Sequence, residues 1–101
     1  MASRSRIYIE VDWHHFHTSE PIRIVSELDD ARYETRKIEY FREGTMGYAS
    51  IEHAAGTTQL GSAPIPDLSQ INADTEFEAR LISVEQFDAL WHTLPMELSR
   101  K

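Results

Sequence analysis

Ser26-Glu-Leu-Asp-Asp-Ala-Arg-Tyr-Glu-Thr-Arg-Lys-Ile-Glu-Tyr-Phe-Arg-Glu-Gly44 is the stretch whose reading decides the fold. It opens on an acidic turn, Glu27 to Asp30. It runs on as a long strand, Arg32 to Arg42, and closes on Glu43-Gly44, a tight-turn signal. Alternation puts Glu34, Arg36, Ile38, Tyr40 and Arg42 on one side of that strand. Tyr33, Thr35, Lys37, Glu39 and Phe41 fall on the other. Neither side is cleanly apolar, which suits a strand engaged on both faces or one near a sheet edge.

The flanking sequence supplies the strand's neighbours. Ile7 to Phe16 reads as a strand, with Ile7, Ile9, Val11 and Trp13 alternating against Tyr8, Glu10, Asp12 and His14. Thr18 to Pro21 is a loop. Ile22 to Leu28 reads as a second strand, with a helix over Val25 to Arg32 as the competing reading. Thr45 to Ile51 returns after the turn as the fourth, so the chain reads as an antiparallel meander. His53 to Pro66 holds two glycines and two prolines and reads as a surface loop, with one short pairing segment around Thr57 to Leu60. Asp67 is placed to cap a short helix through Leu68 and Ile71 to about Asn72, and Phe77 to Ile82 reads as a last strand. Ser83-Val-Glu-Gln86 is a capping-box pattern that opens a helix carrying Val84, Phe87, Leu90, Trp91 and Leu94 at helical spacing. Pro95 ends it.

These elements predict an α+β domain: an antiparallel sheet of four to six strands with a C-terminal helix packed on one face. The Ile7/Ile9/Val11/Trp13 face is the expected seat for the helix, with Trp13 and Trp91 both buried. At 101 residues the chain is expected to form one domain, with 1–5 and 97–101 as flexible tails.

The net charge is −7. With Arg4, Arg6, Arg100 and Lys101 set aside at the ends, six basic residues face all seventeen acidic ones, a balance of −11. Such a body repels phosphate backbones and favours a basic protein partner over nucleic acid. No apolar run reaches the roughly 20 residues that span a bilayer, and no signal core follows the first residues, so a cytoplasmic, membrane-free location is expected. The absence of cysteine excludes disulfides and thiol catalysis.

Chemistry has few footholds. His14, His15 and His17 form a cluster in which His15 and His17 share a strand face, and His53, His92 or a carboxylate would have to complete a metal site. No third ligand is fixed, and no metal or other cofactor is expected. The acids of the turn do not follow a calcium-loop order, and Ser26, Ser50 and Ser62 lack the strand–elbow–helix setting of a nucleophile. A non-enzymatic protein-binding role is therefore the expectation. Glu27, Asp29 and Asp30 would offer free carboxylates, extended by Glu34, Arg36 and Tyr40 on the adjoining strand face. The alternatives are a small metal-dependent or acid/base enzyme built on the His14–His17 cluster and the acidic turn, and a scaffold or dimerisation module. Monomer and small homo-oligomer both remain open.

The segments Tyr8-Ile-Glu-Val-Asp-Trp-His14, Ser26 to Gly44, Ala63-Pro-Ile-Pro66, Glu76-Phe-Glu-Ala-Arg80 and the helix from Ser83 together resemble a family of small bacterial domains of unknown function. The resemblance covers nearly the whole chain and assigns no catalytic residue. Small acidic domains of this kind are similar to immunity proteins that neutralise a cognate bacterial toxin, which implies a basic toxin as the partner.

Overall fold

The computed structural model describes residues 6–52, 54–56 and 58–94. Both expected tails lie outside that range, as do His53, Thr57 and Pro95. The strands are β1 (Ile7–Trp13), β2 (Arg23–Leu28), β3 (Glu34–Tyr40), β4 (Met46–Ser50), β5 (Ala54–Ala55) and β6 (Phe77–Leu81). The helices are α1 (Leu68–Asn72) and α2 (Val84–Trp91). The strands form one antiparallel sheet in the order β5-β4-β3-β2-β1-β6, so five strands make the meander and β6 returns to the outer side of β1. This is the expected α+β architecture.

The two hairpins that frame β3 share one geometry. Asp29 and Tyr33 close the first, with Asp29 N donating to Tyr33 O and Arg32 N to Asp29 O. Phe41 and Thr45 close the second in the same pattern. Each is a three-residue turn whose last residue takes a left-handed backbone. Gly44 fills that position in the second, at φ 98°, at no steric cost; in the first it is Arg32, at φ 72°. Its guanidinium donates to the carbonyls of Ile65 at 2.6 Å and Pro66 at 2.7 Å. Ile65 N in turn donates to Arg32 O. Arg32 therefore belongs to the turn rather than to the strand, and its side chain ties the turn to the segment before α1.

The helix seat differs from the expectation. α2 covers the opposite face, where Phe87, Trp91 and Leu94 pack with Val25, Ile38 and Tyr48. The Ile9, Val11 and Leu28 side continues onto β6 through Phe77 and Ala79 and is covered by Ile65, Leu68 and Ile71 from the segment that includes α1. That segment precedes α2 in the chain and takes the more apolar face. The α2 face reads as polar in sequence because Arg23, Glu27 and Arg36 interrupt it. It becomes core because Glu27 and Arg36 neutralise one another there. Trp91 is buried as expected, whereas Trp13 is only half-buried, stacked on Phe77 and tilted against His15.

Two further features depart from the pattern of the sequence. The short pairing strand is Ala54–Ala55, ahead of the Thr57 to Leu60 segment expected. The loop that follows is not merely surface. Thr58 is 1 % exposed and donates to Glu39 at 2.7 Å, and Gly61 N donates to Glu34 at 2.6 Å. Both helix starts match the reading. Ser83 Oγ accepts from Gln86 N while Gln86 Oε1 accepts from Ser83 N, and Gln70 reaches back to Asp67 N in the same way.

Candidate functional site

The residues expected to form one partner surface are distributed over four places, and a β-bulge is what separates Glu34 from Arg36. Glu27 pairs with Arg36, but the next residue, Leu28, pairs with Glu34, so Thr35 is an extra residue on β3. Thr35 and Arg36 then both reach Glu27: Thr35 Oγ1 at 2.7 Å, Arg36 Nε at 2.9 Å and Arg36 Nη2 at 2.8 Å. Glu34 is carried to the other face, where Lys37 Nζ lies 3.1 Å away. Residues three apart in a regular strand point to opposite faces, so this pair exists only because of the bulge.

Glu27 is not a free carboxylate. It is 7 % exposed and also accepts from Tyr8 Oη at 2.9 Å. Burial pushes its carboxyl up, but the hydrogen bonds from Arg36, Thr35 and Tyr8 and the charge of Arg36 outweigh that effect and hold it at about 2. Burial, then the hydrogen bond to Glu27, raises the Tyr8 phenol. Arg36 also lies over the rings of Phe87, at 4.7 Å, and Trp91, at 5.1 Å, and reaches Asp88 at 3.3 Å. This network joins β1, β2, β3 and α2, and the fold needs it. Tyr40 sits near the other end of β3 under Arg23, 4.7 Å from guanidinium to ring centroid. Asp29 Oδ1 accepts from Ala31 N and Tyr33 N and builds the turn. Of the acidic turn, Asp30 alone is both exposed and free of a side-chain bond among the described residues.

The opposite end of the sheet holds the more exposed chemistry. After β1 the chain makes a loop fixed by three contacts. His15 Nε2 bonds Pro21 O at 2.8 Å, His17 N donates to His15 Nδ1 at 2.9 Å, and Arg42 donates to His15 O. His15 stacks on His17 and is tilted against Trp13. Both ring nitrogens of His15 are thus engaged, with Nε2 as donor and Nδ1 as acceptor. Metal ligation would require one of these bonds to break. His53 lies outside the described residues, and His92 stands at the end of α2. Among the described residues no three histidines or carboxylates converge on one point.

The loop presents Phe16 at 95 % exposure. Asp12 and Arg42 line the same hollow as Phe16, and three further carboxylates belong to the loop or to its neighbours. Glu20 belongs to the loop itself, Glu76 accepts from Trp13 Nε1 at 3.0 Å, and Glu78 lies 3.3 Å from His14. Sequence reasoning weighed these histidines as metal ligands and missed Phe16 because it ran the first strand through to that residue, whereas β1 ends at Trp13 and Phe16 falls in the loop.

The fold and these sites define a small α+β domain with a buried ion-pair network and an exposed aromatic, Phe16, at one sheet end. The chain belongs to a family of domains of unknown function, DUF6881, whose model matches residues 7–95. No curated protein and no solved structure matches it. No helix among the described residues is long and apolar enough to cross a membrane.

Proposed function

We propose that the chain is a non-enzymatic protein-binding domain that docks a basic partner on the sheet end bearing Phe16. The observation that carries this reading is Phe16 itself, a fully exposed aromatic on a loop whose backbone is already fixed. Such a side chain loses little conformational freedom on burial and serves as an anchor, while Glu20, Glu76 and Glu78 supply a rim of the charge a basic partner complements. A bacterial toxin whose active site is covered by the domain is the partner we favour, on the strength of small size and acidic charge. The acidic turn at the other end of the sheet contributes long-range attraction through Asp30 rather than contact through Glu27.

The test takes the product of the adjacent gene as the candidate partner and measures binding rates across a salt series. A complex whose association slows as salt rises is expected, and Phe16→Ala should weaken it about tenfold or more with the melting temperature unchanged. Asp30→Lys should slow association alone. Wild-type affinity from the Phe16 variant would remove this surface from the interface.

A further inference from the structure

A second surface, separate from the hollow that Phe16 lines, has the makings of a small-molecule site. Between the sheet and the α1 segment lies a cleft of about 400 Å³. That volume is in the range small ligands occupy, roughly 300–1,000 Å³. Ile9, Val11 and Ile24 form its floor, and Ile65, Ile71 and Phe77 stand around it.

Five polar residues line the same cleft: Ser26, Lys37 and Glu34 from the sheet, and Gln70 and Asp74 from α1 and the turn after it. Ser26 is 2 % exposed, and its hydroxyl has no hydrogen-bond partner among the described residues. No buried side-chain polar atom among the described residues lacks a partner, so this hydroxyl is open to the cleft, where a ligand oxygen can reach it. Lys37 is the cross-strand neighbour of Ser26, on the same face. Its ammonium has three donors, and among the described residues Glu34 is its one polar partner, at 3.1 Å. Glu34 is held in turn by Gly61 N. The loop thus fixes Glu34, Glu34 fixes Lys37, and Lys37 lines the cleft together with its cross-strand neighbour Ser26.

We propose that this cleft binds a small apolar molecule ending in an acceptor oxygen, a carboxylate or a carbonyl, with Ser26 and Lys37 donating to that oxygen. The apolar chain lies over Ile9, Val11 and Ile24 toward Ile71 and Phe77. Lys37 opposes the Glu34 charge and Asp74 adds a second carboxylate to the lining, so the site discriminates first by hydrogen bonding and only second by charge. The reading is independent of the protein-binding surface and stands or falls separately from it.

Octanoate and methyl hexyl ketone serve as probes, titrated into the ¹⁵N-labelled domain and followed by amide shifts and calorimetry. Saturable binding is expected, with shifts confined to β1, β2, β3 and the α1 segment. Ser26→Ala should weaken both probes about tenfold while the domain remains folded. Ile24→Trp, which fills the cleft, should abolish binding of both. Lys37→Met should weaken octanoate more than the ketone; since that change also leaves Glu34 buried without its cation, the Ser26 variant carries the decision. Absence of saturable shifts at millimolar probe, shifts centred on α2 instead, or undiminished affinity in Ser26→Ala would each overturn the proposal.

Discussion

Replacing Glu27 by glutamine tests whether the buried network holds α2 to the sheet. The carboxylate accepts from Arg36, Thr35 and Tyr8 and is 7 % exposed. The amide keeps the shape, removes the charge and turns an NH₂ toward donors that need an acceptor. The magnitude follows from the carboxyl's displacement. A fall from 4.5 to about 2 corresponds to about 3 kcal/mol of preferential stabilisation of the charged form. Breaking a buried pair by removing one partner costs a similar amount, about 3–5 kcal/mol. At about 4–8 °C per kcal/mol for a domain of this size, the variant should melt at least about 12 °C lower at neutral pH. The pH dependence supplies the sharper readout. The folded-state pKa lies below the unfolded one, so the contribution is complete above about 4.5 and lost as pH falls toward about 2. Urea unfolding at a series of pH values should show wild type well above Glu27→Gln from neutral pH to about 5, and the two converging below. Parallel profiles, or a neutral-pH difference below about 1 kcal/mol, would refute the claim that this ion pair stabilises the folded state.

Trp91→Ala should cost about 3–5 kcal/mol, because it removes the ring packed on Phe87, Tyr48 and the Arg36 guanidinium; an unchanged melting temperature would mean α2 does not pack as described. Arg32→Ala should destabilise more than Arg32→Gly. Both lose the bonds to Ile65 and Pro66, but glycine relieves a left-handed backbone worth about 1–2 kcal/mol, and equal melting temperatures would dispute the strain. Asn72→Ala should promote self-association, seen as a concentration-dependent sedimentation coefficient. The Asn72 amide bonds both backbone groups of Ala79 on β6, whose outer edge pairs with no strand among the described residues. A variant that stays monomeric at high concentration would show that the edge needs no such guard.

The elements that rest on local chemistry were legible before any contact was known. The alternation of Ile7 to Trp13, the Gly44 turn, the Ser83–Gln86 box and the stripe from Val84 to Leu94 each arise within a few residues, where period and capping act directly. The meander follows from the short turns between strands. Tertiary structure decided which face α2 covers. Two partly apolar faces were available, and the choice went to the one that Glu27 and Arg36 make habitable by neutralising each other, a pairing that no one-dimensional pattern displays. The bulge at Thr35 is the second such decision. One extra residue sends Glu34 to the cleft with Lys37 and leaves Arg36 with Glu27, which divides a patch that strict alternation kept together. The cleft is the third. Ser26, Lys37, Ile65 and Ile71 meet there because Arg32, in a conformation that strand patterning does not foresee, holds the segment before α1 against the first turn. Each of these depends on contacts between residues far apart in the chain, and period, propensity and capping carry no information at that range.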